Sequence, residues 1–219
     1  MTLNLIFDFD GTLADTSKLI VATMQKAIED CGLPFRNEEQ IKATIGVRLE
    51  EIPSILWPEM QGIAQPFADR YRKNFEILKN RIAIELFPGV KDTLADLKEK
   101  GYKLAIATSR SHRSVVDLAE LLGIKEDFEY LLGGDNVENG KPDPESIFTI
   151  LKEMDWKPEE TMMVGDMAVD ILMGKNAGIK TCAVTYGNGK SPQLKQAGAD
   201  FIINDFRDLP EVLLSGKDR

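Results

Sequence analysis

Short apolar runs alternate with helical patterns along most of this chain, and that alternation is the feature that most narrows its fold. The runs at 3–8, 103–108, 130–132, 161–165, 181–185 and 201–203 are strand-like and nearly continuous in apolar residues. Strands buried on both faces look like this, as in a parallel sheet with crossover helices. Between them lie helical stretches at 90–100, 114–122, 144–154 and 169–177. In the first, Val90, Leu94 and Leu97 share a face and Gly101 stops the helix. The expected core is therefore an α/β domain with a Rossmann-like parallel sheet between helices.

One interval breaks the rhythm. From 15 to 85 there is helical periodicity and no convincing strand: Leu19, Ala27, Ile28 and Cys31 fit one helix, and Ile63, Phe67, Tyr71, Phe75 and Leu78 another. Roughly seventy residues far exceed a normal crossover. The expectation is a helical cap at 15–85, inserted after the first strand of a core made of 1–14 and 86–219. Trp57 and the Phe67–Phe75 stripe are expected to form the cap's own core, and the two connections near 14–15 and 85–88 its hinges.

Composition excludes several function classes. A chain of 219 residues, 43% hydrophobic and 29% charged, suits a globular protein. No apolar run approaches the length of a membrane span, and the first residues show no secretory pattern, so a cytoplasmic protein is expected. A net charge of −9 disfavours nucleic acid and anionic membrane as partners. The two cysteines, Cys31 and Cys182, suit reduced, packed thiols. The one histidine, His112, falls near a helix start, is expected to face solvent, and has nothing nearby to build a nucleophilic triad. Nothing specifies an assembly beyond monomer or dimer.

The chemistry gathers where the strands end. In open parallel sheets, ligands bind at the carboxyl ends of strands. The first run, in NLIFDFDGTLADT, ends at Asp8 with Asp10 just beyond; the second ends at Thr108 and Ser109; the fourth at Gly165-Asp166, with Asp170 four residues on; and Lys141 lies in a Gly-Lys-Pro-Asp-Pro turn. A buried like-charged pair costs free energy unless a cation or proton compensates. Acids, hydroxyls and a lysine converging on one edge suit Mg²⁺-assisted phosphoryl transfer. Asp8 and Asp166 would hold the ion. Lys141, the Thr108 hydroxyl and the backbone amides at Gly11-Thr12 would receive the phosphate, with Ser109 beside them. One carboxylate can attack phosphorus, and the other can protonate the leaving oxygen and then activate water. Taken singly, each residue has a plainer reading: Asp8 and Asp10 as turn residues, Asp166 and Asp170 at a helix start, Lys141 as a solvated charge. In the expected cap, Arg48 in TIGVRLEE is nominated to reach the substrate, with a surface arginine as the alternative.

DFDGTLADT, IATSR, GKPDPESIF and MMVGDMAVD, in that order, resemble the four motifs of the haloacid dehalogenase superfamily. CGLP, LFPGV and AVTYG resemble its phosphoglycolate phosphatase group more loosely. The resemblance spans essentially the whole chain. It implies that Asp8 is the nucleophile and a metal ligand, and that Asp10 is the general acid/base and lends its backbone carbonyl to the metal. It further implies that Thr108 and Lys141 bind the phosphoryl group, that Asp166 is a metal ligand, and that Asp170 supports Lys141 or water on the metal. The implied reaction is hydrolysis of a small phosphorylated metabolite, phosphoglycolate first, with pyrophosphate or a sugar phosphomutase reaction as alternatives. Those mutases carry a histidine about where Ile20 stands. A dehalogenase lacks the second acid, Asp10, and a receiver-type phosphoacceptor lacks both that acid and a cap. Many relatives carry Asn where Ser109-Arg110 follow Thr108.

Overall fold

The computed structural model describes residues 3–215. In chain order the elements are β1 (Asn4–Phe7), β2 (Ala14–Asp15), α1 (Ser17–Asp30), α2 (Glu38–Lys42), α3 (Ile52–Leu56), α4 (Ala64–Leu78), β3 (Glu85–Leu86), α5 (Val90–Glu99), β4 (Lys103–Ala107), α6 (His112–Leu121), β5 (Tyr130–Leu132), α7 (Glu145–Glu153), β6 (Thr161–Gly165), α8 (Ala168–Asn176), β7 (Lys180–Val184), α9 (Ser191–Gln196), β8 (Phe201–Ile203) and α10 (Leu209–Ser215). Six strands form one parallel sheet in the order β5-β4-β1-β6-β7-β8. The α/β reading of the sequence is borne out strand by strand, within a residue or two at the ends.

Alternation along each strand sorts the core into two layers. Leu5, Phe7, Leu104, Ile106 and Val164 face the layer of α5, α6 and α10. Ile6, Ala105, Ala107 and Met163 face α7 and α8, where Ile147, Ile150 and Met173 meet them. Because β1 pairs with β4 on one side and β6 on the other, the chain after it leaves the sheet at its topological switch point. Phe7 is in register with both Ile106 and Val164. The residues that follow these three strands are therefore delivered to one edge.

Helices α1 to α4 form a separate layer with its own core of Met24, Ala27, Ile41, Trp57 and Phe67. The Trp57 indole donates to the Pro34 carbonyl at 3.0 Å, and Phe67 packs edge-on against it. Phe75 departs from the expected stripe: it packs with the sheet-side cluster that holds Leu5 and Phe7. The reason is its place near the end of α4, where the helix comes down onto the sheet layer. The 15–85 interval also is not free of strand. Ala14 pairs with Leu86 and Asp15 with Glu85 in a two-residue antiparallel ribbon, too short to carry a period-two pattern. Helix α6 begins two residues early because the Ser111 side chain caps it, accepting from the Ser114 amide.

Candidate active site

Three neighbouring strands of the sheet, β4, β1 and β6, build the site. Asp8 follows β1, is 2% exposed, and its Oδ1 lies 2.5 Å from Lys141 Nζ. The same ammonium donates to Asp170 Oδ1 at 2.8 Å. Asp170 reaches this position from the first turn of α8, where its other oxygen accepts the Met167 amide at 2.9 Å. Acidic residues favour a helix start, so one side chain serves the helix and the lysine together. Asp166 directly follows β6 and is fully buried; its Oδ1 accepts from Thr12 Oγ1 at 3.1 Å and its Oδ2 from the Asn188 amide at 2.7 Å.

Asp8, Asp166 and Asp170 each present an oxygen within 4.8 Å of the others. Burial pushes the Asp8 carboxyl well above the usual range, against the pull of Lys141. Burial and neighbouring Asp170 push Asp166 up to about 7. Burial works against the Lys141 charge, but Asp170 and Asp8 outweigh it and hold the ammonium protonated. Three buried carboxylates outnumber the one ammonium, so full ionisation needs a cation where protons otherwise balance the charge. A hard divalent cation with oxygen ligands fits that donor set. Carboxylate oxygens that accept one hydrogen bond keep a further lone pair, so all three acids can offer one; Asp170 differs in holding both Lys141 and the Met167 amide.

Gly11 has φ +90°, and a Cβ there would fall 2.2 Å from Asp166 Oδ2. Its value to the site is therefore close approach. Its amide, expected to receive phosphate, donates to the Ala14 carbonyl at 2.9 Å. Thr108 is buried at the end of β4, on the wall of a cavity it shares with Asp8 and Asp10. The Ser109 hydroxyl donates to the Gly46 carbonyl in the helical layer at 2.6 Å.

Asp10 has partners of its own. Its carboxylate accepts from Arg110 Nε and Nη2 at 2.9 and 2.7 Å and from Thr16 Oγ1 at 2.5 Å. Thr16 is the N-cap of α1 and makes no side-chain cap bond; its hydroxyl donates to Asp10.

The cavity between the sheet edge and the helical layer is about 640 Å³. Arg48 lines it and clasps the sheet side: its Nη1 and Nη2 donate to the carbonyls of Glu138 and Val137 at 2.6 and 2.7 Å. His112 is exposed, with its Nδ1 3.1 Å from the Leu131 carbonyl. It takes no part in the acid cluster.

The sequence reading does not anticipate Asn188, Thr16 or the work of Arg110. The flanking Gly187 and Gly189 carry a signal for the first, since a Cβ on either would land within 2.4 Å of Asp166 atoms. A Gly-Asn-Gly loop just past a strand end marks such an approach. The Tyr186 hydroxyl adds a bond to the Thr12 carbonyl at 2.7 Å, tying this loop to the turn after β1.

Known proteins share this arrangement of chain. The family model described as haloacid dehalogenase-like hydrolase matches residues 5–184. A phosphoglycolate phosphatase of Vibrio cholerae is 32% identical over 219 residues, covering 95% of each chain. The pyrophosphatase PpaX of Halalkalibacterium halodurans is 32% identical over 208 residues, again covering 95% of each. A crystal structure from Bacteroides fragilis, described as a haloacid dehalogenase-like hydrolase, superimposes with a TM-score of 0.90 at 30% identity, covering 95% of this chain and all of that one. The chain belongs to the haloacid dehalogenase-like hydrolase family.

Proposed function

We propose that this protein is a Mg²⁺-dependent phosphatase that hydrolyses a small phosphorylated metabolite through an aspartyl phosphate on Asp8. The observation that carries the reading is the buried Asp8–Lys141–Asp170 chain beside Asp166, at the switch point of the sheet. In the first step an Asp8 oxygen bonds to phosphorus as the bond to the leaving oxygen breaks. The proton that oxygen needs comes from the Asp10 carboxyl. In the second, water attacks phosphorus and gives its proton to the Asp10 carboxylate, the Asp8–phosphorus bond breaks, and both acids are restored.

Lys141 and the Thr108 hydroxyl bind the phosphoryl oxygens, and Lys141 also keeps Asp8 aimed. Asp8, Asp166 and the Asp10 backbone carbonyl would hold the ion, with Asp170 in support through Lys141. The bound ion supplies charge neutralisation for the phosphoryl group. Residues 15–85 act as a cap domain whose closure excludes water, and Arg48 is its specificity residue. Two unpaired thiols suit a cytoplasmic enzyme.

Phosphoglycolate is the first substrate to assay and inorganic pyrophosphate the second, in line with the names of the relatives. The test is phosphate release from a panel of small esters and pyrophosphate, with and without Mg²⁺. Multiple turnover of at least one ester, dependent on the ion, is expected. Release that stops after one equivalent would make the protein a phosphoacceptor instead.

A further inference from the structure

Arg110 is a buried cation at the edge of the site with no task in the two steps above. Its side chain is 8% exposed and that of Asp10 13%. The guanidinium meets the carboxylate as a fork, Nε to Oδ2 and Nη2 to Oδ1, while Nη1 donates to Ser114 Oγ at 3.0 Å. From the cap side, the Phe75 ring centroid lies 4.9 Å from the guanidinium carbon, and Thr16 at the start of α1 bonds the same carboxylate. Asp10 is thus gripped from β4 and from the entry to the cap at once.

A bidentate fork fixes the plane of a carboxylate as well as its position, which a lysine cannot do. Placement matters for a group that must hand a proton to one oxygen and take one from another. A displacement of about 1 Å can cost on the order of 100-fold in rate. The guanidinium is held by Ser114 on α6 and by the Phe75 ring on α4, so the grip is complete only with α4 in place over the sheet.

We propose that Arg110 is a positioning residue for Asp10, and that its stacking on Phe75 ties the placement of the acid/base to the seated cap. The proposal rests on the reading of Asp10 as acid/base. Two other roles would look different in kinetics: direct binding of substrate phosphate, and a purely structural ion pair.

A double-mutant cycle separates them. Turnover of acetyl phosphate and of an unactivated alkyl phosphate is measured for the wild-type chain, Arg110→Gln, Asp10→Asn and the double variant, with the rate of phosphoenzyme decay followed by intact mass. Arg110→Gln is expected to lower kcat about 10- to 100-fold with KM within about twofold, and to add less than about twofold in the Asp10→Asn background. Arg110→Lys, which keeps the charge, is expected to retain the wild-type melting temperature and still lose kcat. Phe75→Leu is expected to lower kcat severalfold by the same route, with no further loss in the Asp10→Asn background.

An equal loss from Arg110→Gln in both backgrounds, a rise in KM at constant kcat, or full activity in Arg110→Lys would overturn the positioning role. Additive loss from Phe75→Leu would overturn the link to the cap. If Asp10→Asn itself left turnover untouched, the acid/base assignment would fail first, and the cycle would show that directly.

Discussion

The sheet edge and the helical layer are held by different kinds of contact. At the sheet edge, charged side chains 1–3% exposed meet at 2.5 and 2.8 Å, each delivered by a separate strand end or turn. The helical layer has an apolar core of its own; Leu19 and Phe75 join the sheet-side cluster, and across the cleft the contacts are single polar ones. These include Arg48 to two carbonyls, Ser109 to Gly46, and the ion pair of Lys190 with Glu39 at 2.9 Å, whose side chains are 67% and 80% exposed. Its covalent attachment passes through the two-residue ribbon of β2 and β3. The contrast teaches a division of labour. Removing one member of a buried charge cluster leaves the others uncompensated, whereas exposed contacts across the cleft can open and re-form at small cost.

The largest expected effect sharpens that contrast at the sheet edge. Asp8→Asn should remove turnover, by roughly 10⁴-fold or more, because an amide cannot attack phosphorus and the variant loses its nucleophile outright. The fold should persist, since β1 and its register do not depend on that carboxylate. Retention of more than a few per cent of kcat in steady-state assays would exclude Asp8 as nucleophile.

Next in size is the competition between protons and Mg²⁺ at Asp166. Its carboxyl is raised to about 7 from an ordinary 3.8, so the folded, metal-free protein holds a proton there that the unfolded chain has lost. That contribution to stability is fully present below 3.8 and fades as pH rises through about 7. A divalent ion needs the ionised form, so its binding releases the proton and strengthens with pH up to that point. The melting temperature should therefore rise more on adding Mg²⁺ at pH 8 than at pH 5.5. Equal shifts at both would break the assignment of Asp166 as a ligand.

Across the cleft the effects should be smaller and selective. Arg48→Ala should raise KM for the best ester severalfold while leaving acetyl phosphate, too small to reach the cap, nearly unchanged. Equal losses on both would move Arg48 into the chemistry or the fold. Lys190→Ala should change neither kinetics nor melting measurably, since its pair with Glu39 is solvated; a clear loss of activity would show that even exposed clasps set cap position.

The same contrast explains what the sequence disclosed. Strand ends were legible because an apolar run followed by Asp8, Thr108 or Asp166 is local in the chain, and a parallel sheet brings such ends together by topology alone. Asp170 was legible as a helix-start acid. Arg110 was visible only as a departure after Thr108, because its partner Asp10 lies 100 positions away and no local pattern links them. Asn188 was hidden for a similar reason, its amide reaching back 22 positions to Asp166. Arg48 was nominated to reach the substrate, with a surface arginine as the alternative, and its bonds to the backbone at 137 and 138 depend on how the helical layer seats. Periodicity does not encode that placement. Phe75 shows the same limit, since one stripe of α4 serves two different cores.

The most direct measurement for the account as a whole is covalent trapping. Asp10→Asn should slow proton transfer by roughly 10²–10⁴-fold, and with an activated donor such as acetyl phosphate it should form the phosphoenzyme faster than it hydrolyses it. Rapid quenching in acid followed by intact-mass and peptide mapping should then find one added phosphoryl group, on Asp8, absent in the Asp8→Asn and Asp10→Asn double variant. Turnover without any trapped phosphoryl group in Asp10→Asn, or a label on a residue other than Asp8, would contradict the account.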